Sequence, residues 1–176
     1  MLKHVLFAAA VLAQVAILAV EPAEKLRIRH VTGREIVLRT EPVDPYDVMR
    51  GFYMTLAYEI ARPPGHEAMG DVRPDETVYT VLAPGDNDVW SAVSVHAEMP
   101  TDLGPNKIVI RGHRDSRRRG RLVYGIEQYF VPEEMRHQIS DEITAEKERI
   151  LVDVAVDPEG RASVLRLHVG DKTYEY

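Results

Sequence analysis

TVYTVLAPGDNDVWSAVSVHA, residues Thr77–Ala97, contains two apolar-rich runs separated by a cluster of turn residues. Thr77–Leu82 and Val89–Ala97 have the length and composition of strands. Pro84-Gly85-Asp86-Asn87 supplies the turn between them, so the pair predicts a β-hairpin. A further strand at Lys107–Gly112 would extend it into a meander.

The same grammar runs outward on both sides. Phe52, Met54, Leu56, Tyr58 and Ile60 alternate with Tyr53, Thr55, Ala57, Glu59 and Ala61, which predicts one ten-residue strand with the first set on a single face. Further upstream, Leu26 and Ile28 alternate with charged neighbours. Val31-Thr32-Gly33 then reads as a turn and Ile36-Val37-Leu38 as a strand, so these two segments predict a first hairpin. Two proline-rich connections, Glu41–Asp47 and Arg62–Asp75, read as loops. Downstream, Leu122–Phe130 is an extended candidate, and Pro132 opens a short amphipathic helix with Met135, Ile139 and Ile143 on its apolar stripe. Ile150–Val156, the turn Asp157–Gly160 and Ser163–Val169 form a closing hairpin. The expected fold is mainly β with one short amphipathic helix, a β-rich α+β arrangement in which a compact antiparallel β domain fills residues 25–176.

Ahead of that domain, Val5–Val20 is broken only by Gln14 and follows the short basic start Met-Leu-Lys-His. Sixteen helical residues span about 24 Å against a hydrocarbon core of about 30 Å, so Leu2 and a snorkelling Lys3 complete the crossing. Residues 1–20 therefore read as an N-terminal transmembrane helix, either a signal anchor or a cleaved signal peptide. Ile17 and Pro22 make a poor cleavage site around Ala19, which favours the uncleaved anchor. Lys25, Arg27, Arg29, Arg34 and Arg39 follow the segment, and a literal positive-inside count would hold the domain in the cytoplasm. Glu21 and Glu24 flank the segment directly, and long C-terminal domains translocate largely regardless of charge, so the expected address is extracytoplasmic.

Composition excludes several roles. A net charge of -6 argues against nucleic acid as a partner. With no cysteine there is no disulfide, no thiolate metal site and no Cys nucleophile. Seven scattered histidines include no HxH, HxxxH or HExxH pair, so neither a metal nor another cofactor is expected. No Gly-rich phosphate loop and no GxSxG elbow occurs. The sharpest charge feature is Arg111, Arg114, Arg117, Arg118, Arg119 and Arg121, six arginines within eleven residues of an acidic chain. They form either a solvated hairpin loop or an anionic contact with lipid head groups or an acidic partner. His113, Asp115 and Ser116 in that loop are too close along the chain to favour a triad.

The stretch from Asp44 to Ile60 resembles the signature of the GDYXXLXY family of membrane-anchored bacterial proteins: Gly51, Tyr53, Leu56 and Tyr58 fit, while Phe52 stands where the family has Asp. A second block, Tyr124–Glu133, is similar to another family segment and departs at Glu134, where the family tends to have glycine. The resemblance spans the whole chain and implies a membrane address without an established activity. It also implies a polytopic membrane protein as partner. A looser similarity to signal peptidases, which carry a Gly-Asp strand entry after a serine nucleophile motif, stops at fold, because Asp44-Pro45 occupies the comparable stretch and the serine is missing.

The leading expectation is a non-enzymatic accessory domain acting through that membrane protein. A hydrolase or lyase using Asp44, Asp47, Glu127 or His113 is the first alternative. A glycan- or lipid-binding module with an exposed platform at Trp90 or Tyr53 is the second. Asp44, Arg50, Tyr53, Tyr58, Tyr124 and Glu127 are the candidate site. Convergence in a cleft would make them a ligand site, and convergence in a packed interior would make them scaffolding.

Overall fold

A computed structural model of the chain describes residues 2–41, 49–50, 53–64, 76–115, 121–131, 134, 139, 142 and 150–175. It opens with a helix, α1 (Leu2–Arg27), that winds directly into a π-helical turn over Ile28–Thr32. The helix is long and apolar enough to cross a membrane, and its apolar window is 0% buried against the rest of the protein. Leu26 and Ile28 are therefore helical rather than the first strand of a hairpin. Once the apolar segment has paid for nucleation, Ala23-Glu24-Lys25-Leu26-Arg27 are good helix formers that propagate it. Glu21 and Lys25 add an i,i+4 ion pair at 3.5 Å.

Eleven strands follow among the described residues. The larger sheet holds β1 (Arg34–Arg39), β4 (Thr77–Pro84), β5 (Val89–His96), β6 (Ile108–Arg114), β7 (Leu122–Val123), β9 (Ile150–Val156), β10 (Ala162–Val169) and β11 (Lys172–Glu175). Its order is β11-β10-β9-β1-β5-β4-β6-β7. A smaller sheet, β2-β3-β8, is made by Met49–Arg50, Tyr53–Thr55 and Gln128–Phe130. The hairpins expected at Pro84–Asn87 and Asp157–Gly160 are present as β4–β5 and β9–β10. The expected meander is not, because β6 pairs with β4. The outer edge of β5 is already occupied by β1, in the one parallel pairing of the described sheet, so β6 takes the remaining edge of β4.

The ten-residue strand expected at 52–61 is likewise interrupted. Regular pairing ends at Thr55; Tyr58 then makes a single bridge to Thr40, and Glu59–Ala61 tightens into a 3-10 turn. The facing survives the break: Met54, Leu56, Tyr58 and Ile60 are all buried in the main core with Leu38 and Leu82. Leu122–Phe130 also splits, into β7 and β8, around a turn in which Gly125 holds φ +78. Of the amphipathic helix expected after Pro132, Ile139 is helical and fully buried and Glu142 is helical; Pro132, Met135 and Ile143 lie outside the described residues.

Two closures turn these sheets into one half-barrel around a shared core. The Arg111 amide on β6 donates to the Gly160 carbonyl of the β9–β10 turn at 2.7 Å, and the Glu41 amide after β1 donates to the Ala57 carbonyl at 2.6 Å. A bulge in β10 between Val164 and Arg166 leaves Leu165 outside the regular register. Leu165 packs there with Ala155 and with Ile28 from the π-helical turn, which fixes the end of α1 to the domain. Gly33 permits that approach, since a Cβ at this position would lie 2.6 Å from the Ala155 Cβ.

Candidate functional site

Tyr58 and Tyr124 come together in the interior, each spending its hydroxyl on main chain from the other's block. The Tyr58 hydroxyl donates to the Ile126 carbonyl at 2.9 Å. The Tyr124 hydroxyl donates to the Ile60 carbonyl at 2.7 Å and accepts from the Thr80 hydroxyl at 3.0 Å. The Tyr124 amide donates to Glu127 Oε1 at 2.6 Å, closing the turn that carries Gly125. Beside these bonds, the Leu56 amide reaches the Glu127 carbonyl at 2.8 Å. The two blocks thus act as one lock between β3 and β8, with every named hydroxyl paired.

The space around the lock is small. A cavity lined by Tyr58, Arg121 and Glu127, among others, has a volume of about 20 Å³. That is room for about one water molecule and no organic ligand. Arg50 and Tyr53 lie opposite each other in the β2–β3 pairing. Asp44 and Asp47 lie outside the described residues. Glu127 borders this small cavity while His113 borders a different and larger one.

Both phenols are held above their ordinary value. Burial raises Tyr58 most, and the Glu127 carboxylate raises it further. Burial also dominates at Tyr124, opposed in part by the Thr80 hydrogen bond and reinforced by Glu127. The folded chain therefore keeps these protons at a pH where the unfolded chain has lost them. The associated stability is complete below a pH of about 10 and is lost as pH rises beyond it. Thermal unfolding followed by Trp90 fluorescence should show a steeper fall in midpoint between pH of about 10 and 12 for the native chain than for a Tyr58→Phe, Tyr124→Phe double variant. Equal slopes would show that these phenols do not couple to folding.

The arginine cluster divides. Arg117, Arg118 and Arg119 lie outside the described residues. Arg121 bonds Glu41 Oε2 at 2.7 Å, while Arg62 holds the other oxygen of the same carboxylate at 3.3 Å. Arg114 is half-buried at the end of β6. Arg111 is exposed and reaches the large cavity, about 670 Å³, that opens between the last turns of α1 and the β6 edge. Trp90 offers no open platform: it is 7% exposed, and the Arg34 guanidinium lies 5.0 Å from its ring centroid. Among the described residues, no three His, Asp or Glu side chains gather as metal ligands.

The family model described as GDYXXLXY protein matches residues 14–167, a range that contains both tyrosine blocks. The chain belongs to the GDYXXLXY family. No curated protein and no solved structure matches it. In this GDYXXLXY chain, Leu56 and Tyr58 of the signature are core residues, and Phe52 lies outside the described residues.

Glu24 and Lys25, which in the sequence mark only the flank of the membrane segment, and Arg161, which no sequence feature marks, line the large cavity with Arg111 and His113. They stand on α1 and at the start of β10, too far apart in sequence for a local motif. The one local hint was the turn Asp157–Gly160, whose Asp157 accepts from the amides of Glu159 and Arg161 at 3.1 and 2.8 Å and so delivers Arg161 to the rim.

Proposed function

We propose that this GDYXXLXY protein is a non-enzymatic accessory domain, anchored by α1 in a bacterial inner membrane with its β domain on the periplasmic side, that works through contact with a polytopic membrane protein. The observation that carries this reading is the joint between helix and domain. Ile28 packs on Ala155 and Leu165, Glu24 pairs with Arg161, and Arg29 meets Glu175 at 3.5 Å. A helix that continues into its domain in this way sets the direction in which the domain faces. Such a fixed presentation suits contact with a neighbour in the same membrane, whereas a tethered enzyme acting on diffusing substrate gains nothing from it. The signature supports the same reading, because its Tyr58 hydroxyl is consumed by the Ile126 carbonyl rather than aimed into a cleft.

Affinity purification from detergent extracts after in vivo crosslinking tests it. A photo-crosslinker at Phe7 or Leu12, both exposed on α1, is expected to capture one polytopic membrane protein. Clean recovery of the chain alone from such extracts would count decisively against an accessory role.

A further inference from the structure

The large cavity lies where the β6 edge, the β9–β10 turn and the last turns of α1 meet. Its volume of about 670 Å³ falls within the range of roughly 300–1,000 Å³ usual for small-ligand sites. Most of its lining charges are already matched. Glu24 pairs with Arg161, which is also held by Asp157 at 2.8 Å, and Glu21 lies 3.5 Å from Lys25 across one helical turn. Arg111 and His113 differ. They sit two residues apart on one face of β6, both exposed, and their side chains have no partner among the described residues. The sheet spends the Arg111 amide on Gly160 and leaves its guanidinium at the cavity. Five donors in a fixed fork, next to an imidazole, form a receptor for a phosphate oxyanion.

The height of the cavity along α1 indicates where such a phosphate comes from. Lys25 on its wall is five residues beyond Val20, the end of the apolar run Val5–Val20, and so about 7–8 Å further along the helix. With the apolar segment filling the hydrocarbon layer, that is the depth of the lipid head groups. The Lys25–Glu21 pair is highly exposed on both sides, so it is weak and exchanges readily for an incoming anion.

We propose that this cavity binds the head-group phosphate of an anionic phospholipid, with Arg111 as its principal ligand and His113 as a second donor. The assignment to a lipid rests on the membrane-anchored reading. The phosphate chemistry of the cavity does not, and neither depends on capturing a protein partner.

The test uses the full chain in dodecyl maltoside micelles, titrated with dihexanoyl phosphatidylglycerol while the His113 ring resonances are followed by NMR. Saturable binding is expected, roughly tenfold tighter than for dihexanoyl phosphatidylcholine, and Arg111→Gln should weaken it by roughly tenfold at an unchanged unfolding midpoint. Lys25→Gln, on an exposed helical position, provides a second variant with a smaller loss. Equal affinity for the two lipids, or undiminished binding by Arg111→Gln, would overturn the site. Inorganic phosphate binding as tightly as phosphatidylglycerol would overturn the lipid assignment. These measurements on purified protein stand apart from the crosslinking experiment, so either can fail alone.

Discussion

Tyr58→Ala should cost about 3–5 kcal/mol, the range for deleting a large aromatic side chain from a closed core. Tyr58 is 1% exposed and packs with Met54, Leu56 and Leu82, so little in its surroundings can collapse into the vacated volume. Against a total stability of about 5–15 kcal/mol for a domain, this is a loss of roughly a fifth or more. Tyr58→Phe separates the two parts of the effect. It keeps the ring and removes only the donor to the Ile126 carbonyl, for an expected loss of about 1–3 kcal/mol. Trp90 is the only tryptophan and is buried in the same core, so its fluorescence during unfolding of the full chain in detergent reports both losses. A Tyr58→Phe variant that unfolds at the native midpoint would remove the hydroxyl from the lock and return Tyr58 to consideration as a ligand residue.

Gly112→Val should be comparably severe for a steric reason. Gly112 lies on β6 directly against the second tyrosine block. A Cβ there would sit 2.8 Å from Cδ1 of the Tyr124 ring and 2.7 Å from the Val123 carbonyl oxygen. Both distances are shorter than van der Waals contact, and one neighbour is backbone paired with His113, so neither can move freely. Overpacking of this kind costs about 1–3 kcal/mol, and displacing the ring would add about 1 kcal/mol for each hydrogen bond lost to Ile60 and Thr80. A double-mutant cycle isolates the cause. Gly112→Ala should cost less in a Tyr124→Leu background than in the native chain, with a coupling of at least about 0.5 kcal/mol. Strict additivity would mean that the close approach of Gly112 and Tyr124 contributes nothing.

In sequence, tyrosines at 53, 58 and 124 with acidic and basic neighbours fit either an aromatic binding site or a scaffold. The structure brings Tyr58 and Tyr124 together with Glu127, and pairs their hydroxyls with carbonyls at 126 and 60. The chemistry-bearing candidate moves to the Arg111–His113 edge, near the helix joint and outside the motif. Arg111 was visible in sequence as one of six arginines. Its difference from Arg121, which Glu41 consumes, was not.

What the sequence determined by itself is what local physics writes: an apolar helix before a β domain, the turns at Pro84–Asn87 and Asp157–Gly160, and the facing of Met54, Leu56, Tyr58 and Ile60. Alternation and turn chemistry act over two to four residues, so no knowledge of partners is needed to read them. Local readings failed where a competing structure won, as at Leu26–Ile28 and in the long strand. The alternation of Leu26 and Ile28 was too short to outweigh a helix already nucleated upstream. The long strand was cut at Thr55 because Tyr58 bridges Thr40 instead. Tertiary structure alone decided that β1 lies between β9 and β5, that Gly160 closes onto Arg111, and that Glu24 meets Arg161. Each of these joins segments tens of residues apart, and a hydrogen-bonding edge or a charged side chain carries no mark of its distant partner until the core has brought the two together.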